Sequence, residues 1–157
     1  MIAVGAVALA VALTGCGDST SDPTGESGLF PVTGTADAPF EDFGEAGVSV
    51  GGEPLRLLVA ATPEQRSQGL RGVEDLDDYD GMAFVYPQPG PATFTMADTL
   101  ISLDIGFYDG AGDLVNRLEM EPCTGTDATC PGYPSGGDFL VAVEMPAGEL
   151  PEGSLGG

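Results

Sequence analysis

Short apolar segments, each about as long as a β-strand, follow one another along the last two thirds of the chain. Gly, Pro or Asp borders each segment, as turns between strands require. The six segments are residues 55–61, 82–86, 93–97, 103–108, 114–120 and 139–145. This pattern predicts one mainly β domain, a sandwich or barrel, that extends from residue 48 to residue 157.

One helix is predicted between the first two strands. Thr62 is suited to the N-cap, Pro63 to the first helical position, and Gln65 to the reciprocal hydrogen bond of a capping box. We expect this helix to end at residue 70 or 71, before Gly72.

The N-terminus has a different pattern. Residues 2–13 are apolar and uncharged, which fits the core of a secretory signal but is shorter than a membrane-spanning helix. The run closes with Leu13-Thr14-Gly15-Cys16, which is typical of a bacterial lipoprotein cleavage site. Residues 1–15 are therefore predicted to be a signal peptide and Cys16 to be lipidated, which would anchor the protein to the extracytoplasmic face of the membrane. Simple secretion is the alternative.

Residues 16–46 consist mainly of Gly, Ser, Thr, Pro, Asp and Glu, with isolated apolar residues. A segment of this composition buries little apolar surface. It is predicted to be a disordered acidic tether between the membrane and the β domain.

The two remaining cysteines, Cys123 and Cys130, are expected to form a disulfide, because thiols of an exported protein usually pair. A metal site is the weaker alternative, because the chain has no His to complete a zinc ligand set. The acidic loop before residue 82 does not match the calcium-binding loop of an EF-hand. No metal and no cofactor are predicted.

Charge narrows the possible partners. The chain has 25 acidic residues against four basic ones, all arginines, and a formal net charge of −21. Nucleic acid is therefore excluded as a partner, since two polyanions repel each other. Such acidity usually serves solubility, and a cation-binding surface module is the alternative.

The order of several motifs resembles a known family. They are residues 61–70 (ATPEQRSQGL), 81–85 (GMAFV), 94–107 (FTMADTLISLDIGF), 121–123 (EPC), Tyr133 and 143–148 (VEMPAG). Together they resemble the exported bacterial and archaeal family called domain of unknown function 192. The resemblance implies a sandwich or jelly-roll-like fold with one short helix, and a family whose biochemical activity is not settled. The chain differs from the family pattern where Arg71-Gly72-Val73 replaces Met-x-Arg.

Candidate site residues fall mainly within these motifs: Arg66, Met96, Asp98, Thr99, Asp104 and Glu144. Without His, nucleophilic catalysis of the Ser-His or Cys-His type is excluded. Asp98 with Asp104 is the pair that could support carboxylate-based catalysis. Arg66 is expected to form a buried ion pair with Asp104 or, failing that, Glu144, and ligand binding by Arg66 is the alternative. A binding or accessory role in the envelope is favoured, with an envelope protein or a small molecule as the unidentified ligand.

Overall fold

The computed structural model describes residues 30–157, which contain ten strands and one helix. The strands are β1 (Gly34–Thr35), β2 (Gly44–Val50), β3 (Glu53–Ala60), β4 (Gly81–Gly90), β5 (Thr93–Thr95), β6 (Leu103–Tyr108), β7 (Leu114–Met120), β8 (Gly132–Pro134), β9 (Phe139–Pro146) and β10 (Leu155–Gly156), and the helix is α1 (Pro63–Gln68). The prediction of a single mainly β domain with one short helix is confirmed.

Eight strands form one mixed sheet in the order β1-β2-β3-β4-β9-β6-β7, with β10 added beside β2. Only β3 and β4 are parallel among the paired strands of the described residues, and α1 lies in the connection between them. Strands β5 and β8 form a separate two-stranded antiparallel ribbon.

Alternation along the central strands divides the core between the two faces of the large sheet. Met82, Phe84 and Ile105 belong to the cluster on one face, which we call the ribbon face because Phe94 of β5 packs against it. Ala83, Val143 and Met145 belong to the cluster on the other face, here the opposite face. Because both faces are covered, β6, β9 and the first half of β4 are buried almost throughout.

Helix α1 forms as its sequence predicts. Thr62 Oγ1 accepts a hydrogen bond from the Gln65 N–H (3.2 Å), and Gln65 Oε1 accepts one from the Thr62 N–H (3.0 Å), which completes the capping box. The helix ends at Gln68, two to three residues earlier than predicted. Gly69 has a φ of 49°, and a Cβ there would lie 3.3 Å from the Phe84 ring, so the chain turns onto the sheet at this glycine.

The predicted tether extends into residues that belong to the fold. Phe30, Phe40 and Phe43 are buried in the two clusters, and β1 and the start of β2 lie before residue 47. Arg56 of β3 holds the segment with ion pairs to two carboxylates, at 2.9 Å from Asp37 and 2.7 Å from Glu45. These three aromatic residues supply apolar surface to the core, although the segment as a whole has a polar composition. Residues 16–29, with Cys16 and the signal segment, lie outside the described residues.

Candidate functional site

A cleft of about 390 Å³ opens on the ribbon face, between α1 and the β5–β8 ribbon. Its wall includes the end of α1, the second half of β4, both ribbon strands and part of the disulfide loop. The side chains used below are Arg66, Arg71, Phe84, Tyr86, Phe94, Thr99, Asp127, Cys130 and Glu144. A larger groove of about 890 Å³ lies on the other side of α1, but none of the buried polar side chains lines it.

Glu144 is the buried acid of this cleft. It lies in the middle of β9, opposite Met82 of β4 and Ile105 of β6, so its side chain is on the ribbon face among apolar neighbours. The residue is 4% exposed, and its carboxyl oxygens, which are not fully enclosed, form no hydrogen bond or ion pair with a described residue. Burial raises the pKa of the Glu144 carboxyl to about 8, because an apolar environment disfavours its charged form.

The backbone around Glu144 is fixed by a close approach of two strands. A Cβ at Gly81, the first residue of β4, would overlap the main-chain carbonyl of Glu144. Only glycine allows β4 to start at this distance from β9. The sequence therefore places the carboxyl group on a rigid central strand rather than on a loop.

Arg66 lies at the rim of the cleft on α1. Its Nη1 donates hydrogen bonds to the carbonyl oxygens of Val85 (2.9 Å) and Ala61 (2.5 Å), and its Cζ lies 4.6 Å from the centre of the Tyr86 ring. The predicted ion pair of Arg66 with Asp104 or Glu144 is wrong. The guanidinium instead stacks on Tyr86 and binds main-chain oxygens at the end of the regular pairing of β4.

Aromatic side chains form the apolar part of the wall. Phe94 of the ribbon packs edge-on against Phe84 (5.2 Å between centroids) and Phe107 (5.4 Å). Tyr86 packs in the same way against Phe139 at 5.1 Å. Burial raises the pKa of the Tyr86 hydroxyl, while the positive charge of Arg66 lowers it and the nearby Glu144 raises it. Tyr86 is thus close to both the basic and the acidic side chain of the cleft.

The disulfide loop closes another side of the cleft. Cys123 and Cys130 are bonded, which confirms the predicted disulfide. Arg71 joins this loop to the helix end, since its Nη2 lies 2.6 Å from Asp127 and its Nη1 donates to the Ala97 carbonyl at 2.9 Å. Its Nε donates to the Ser67 carbonyl at 3.2 Å, so every guanidinium nitrogen of Arg71 has a protein partner.

Asp104 lies on the opposite face of the sheet from this cleft. It pairs with Met145 across the strands, and its Oδ2 accepts hydrogen bonds from Arg117 Nη2 (2.8 Å) and from the Gly148 N–H (3.0 Å). The residue is 2% exposed, and Oδ1 has no hydrogen-bond partner among the described residues. Asp104 therefore joins β7 to the turn after β9.

The other candidates have different positions. Asp98 is exposed in a left-handed conformation with a φ of 57°, and its carboxylate lies 3.9 Å from Arg71. Met96 is buried in the ribbon-face cluster. Thr99 is buried and lines the cleft. The structure thus brings Arg66, Thr99 and Glu144 together and places Asp104 elsewhere.

Sequence reasoning missed Tyr86, Phe94, Arg71 and Arg117. Tyr86 and Phe94 were inside predicted strands, where an aromatic residue is typical of any β core. Arg117 could have been found, because it is one of only four cations and alternates with apolar residues on a predicted strand.

No cluster of three or more Asp, Glu, Cys or His side chains suited to a metal ion occurs within residues 30–157. The helix in this part of the chain is too short to cross a bilayer.

The fold and the cleft define a class of small mainly β protein, in which a short helix and a two-stranded ribbon enclose a cleft over a mixed sheet. A model of the family called domain of unknown function 192, described as an uncharacterised ACR, matches residues 46–155. The chain belongs to this family, as its motifs predict.

Two solved structures share the architecture. A protein of unknown function from Novosphingobium aromaticivorans DSM 12444 is 24% identical, with a TM-score of 0.61 over 76% of this chain and 90% of that one. A candidate transcription regulator from Sinorhizobium meliloti 1021 is 22% identical, with a TM-score of 0.61 over 72% and 93% of the two chains. At these identities the likeness concerns the fold. No curated protein matches the chain.

Proposed function

We propose that this protein is an extracytoplasmic lipoprotein whose β domain binds a small molecule in the cleft, with Glu144 as the main recognition group. One observation supports the binding role above all others. Glu144 is a buried carboxyl group that lines a cleft and has no partner among the described residues.

A carboxyl group in this environment reduces stability unless something compensates it. Buried polar groups in native proteins are nearly always hydrogen-bonded, and exceptions commonly have a functional reason. A purely structural acid would be expected to have a partner such as the one that Asp104 has in Arg117. A ligand that occupies the cleft would supply the missing partner of Glu144.

Three features support the extracytoplasmic location. The sequence Leu13-Thr14-Gly15-Cys16 is typical of a lipoprotein signal. The disulfide Cys123–Cys130 is of the kind that persists in oxidising compartments. The formal charge of −21 suits a domain that stays in solution beside an anionic membrane.

The binding role is tested by recovering the natural ligand. The full chain would be purified from the envelope of its own host, and small molecules released by denaturation would be identified by mass spectrometry. We expect a compound that accompanies the wild type and the control Glu53→Gln, but not Glu144→Gln. Glu53 is a matched control because it is an exposed glutamate in β3. Equal recovery from all three proteins would contradict the role of Glu144, as would the absence of any compound from the wild type.

The anchor is tested separately. Metabolic labelling with a fatty acid should mark the wild type and should leave Cys16→Ser unlabelled and free of the membrane fraction. Equal membrane association of the two proteins would contradict the lipoprotein assignment.

A further inference from the structure

We infer that the ligand of this cleft is a small zwitterion, whose amine is bound by Glu144 and whose carboxylate is bound by the Nε–Nη2 edge of Arg66. This inference rests on the proposed binding function and adds the chemical class of the ligand. It depends on an acidic and a basic side chain, Glu144 and Arg66, that line one cleft without forming an ion pair with each other.

The Glu144 end of the cleft favours an amine. An ionised carboxylate only accepts hydrogen bonds, and an ammonium group offers three donors together with the compensating charge. Phe84 and Phe94, aromatic rings of the kind that attract cations, line the same cleft. The net charge of −21 concentrates cations near the protein and repels simple anions, so a ligand without an amine is disfavoured at this end.

The Arg66 end of the cleft favours a carboxylate. The hydrogen bonds of Nη1 to Val85 and Ala61, with the stacking on Tyr86, hold the plane of the guanidinium in place. Nε and Nη2 form no hydrogen bond to a described residue, although together they are an edge that binds a carboxylate with two parallel bonds. Arg71, which lines the same cleft, uses all its nitrogens within the protein and is not available in this way.

The size of the cleft limits the ligand. A volume of about 390 Å³ is near the lower end of the range for small-molecule sites. A ligand of amino-acid size fits, and a peptide or an oligosaccharide would extend far outside.

The first experiment measures affinity by isothermal calorimetry on the full chain. The probes are glycine, β-alanine, γ-aminobutyrate and ε-aminocaproate, which vary the separation of the two charges, with butylamine and butyrate as single-ended controls. We expect one chain length to bind best and both single-ended compounds to bind about tenfold more weakly or worse, since each lacks one charge-assisted contact. If no zwitterion binds more tightly than both single-ended compounds, the inference is wrong.

Proton exchange with the buffer identifies the group bound by Glu144. Repeating the calorimetry at neutral pH in buffers of different ionisation enthalpy measures how many protons are released on binding. An amine favours the ionised form of Glu144, so we expect release of a proton from the protein. Absence of proton release, or uptake of a proton, would mean that Glu144 stays protonated and donates a hydrogen bond to the ligand, which would overturn the inference.

Variants assign the two ends. Glu144→Gln should abolish proton release and weaken the best zwitterion about tenfold or more, with little effect on butyrate. Arg66→Lys keeps the positive charge but loses the bidentate hydrogen bonding of the guanidinium. It should therefore weaken binding of the zwitterion and leave binding of butylamine unchanged. Glu53→Gln should change neither. Thermal unfolding of each variant verifies that it is folded, and failure of Arg66→Lys to affect the zwitterion would overturn the assignment of the carboxylate end.

The two proposals fail in distinguishable ways. If the compound recovered from the envelope depends on Glu144 but is not a zwitterion, the binding function stands and the ligand class is wrong. If no compound is recovered and no probe binds at millimolar concentration, both are wrong.

Discussion

Asp104 and Glu144 are buried acids on neighbouring strands of one sheet, one residue apart in register, and they point to opposite faces. Asp104 receives the Arg117 guanidinium and the Gly148 N–H, and it holds β7 and the turn after β9 together. Glu144 receives nothing from the described residues, and it faces a cleft. A buried acid therefore has a structural role where the fold supplies its partner. We assign it a recognition role where a ligand has to supply that partner.

The largest effect should come from Glu144 as the pH changes. Because its pKa is raised to about 8 in the folded protein, the folded state keeps a proton that the unfolded state releases above its ordinary value. Stability is therefore highest below that ordinary value and falls as pH rises through about 8. The loss is on the order of 5 kcal/mol when complete, from the difference between 4.5 and about 8.

Denaturant unfolding of wild type and Glu144→Gln from about pH 5 to about pH 9 measures this loss. The wild type should lose much more stability than the variant, because the chain contains no His or Lys side chain that would titrate in this range. If the stability of both proteins depends on pH in the same way, the Glu144 carboxyl has a compensating partner in the wild type. The contrast with Asp104 would then disappear.

The next effect concerns the paired acid. Arg117→Ala leaves Asp104 buried without its cation, and we expect the free energy of unfolding to fall by about 3 kcal/mol. Adding Asp104→Asn should recover part of the loss, because the uncompensated charge is removed. Chemical denaturation at neutral pH measures both, and a loss in Arg117→Ala below about 1 kcal/mol would place this pair among weak surface pairs.

The disulfide closes one side of the Glu144 cleft. Removing it should lower the stability less than Arg117→Ala does. Its cysteines are seven residues apart, and closing so short a loop stabilises a protein by about 2.5 kcal/mol in the chain-entropy description. The double variant Cys123→Ser/Cys130→Ser should stay folded and lose about that amount in thermal unfolding. An unfolded double variant would show that the loop is essential to the whole sheet rather than to one wall of the cleft.

The smallest effect is expected at the helix cap. Thr62→Ala removes one hydrogen bond of the capping box, at a cost of about 1 kcal/mol. Since α1 carries Arg66, hydrogen exchange should increase in α1 and remain unchanged around Asp104. Equal increases in hydrogen exchange in α1 and around Asp104 would mean that the two faces of the sheet do not open independently.

Local patterns predicted most of the fold. The six apolar segments correspond to β3, β4, β5, β6, β7 and β9, and the capping box marked the start of α1. Strand β2 was missed because its glycines weaken the alternation of Ala46, Val48 and Val50. Strands β1, β8 and β10 are only two or three residues long, and such strands form through pairing rather than through their own sequence.

The site was less predictable, for a physical reason. Arg66, Thr99 and Glu144 were identified as candidates, but their grouping depends on register between distant strands. Asp104 and Glu144 could be assigned to opposite faces only after β6 and β9 had been aligned, with Asp104 opposite Met145. The register of β7 against β6 places Arg117, not Arg66, diagonally across from Asp104 on the same face of the sheet.

The most direct test of the account is the titration of the Glu144 carboxyl carbon by nuclear magnetic resonance in the ligand-free chain. Glu144→Gln identifies the signal, and Glu53 supplies an exposed reference. The account predicts that Glu144 titrates at about pH 8, as an acid that is buried without a partner. A midpoint near the ordinary value of 4.5 would show that the carboxyl is solvated or paired, and would contradict the assignment of the cleft as a site that awaits a ligand.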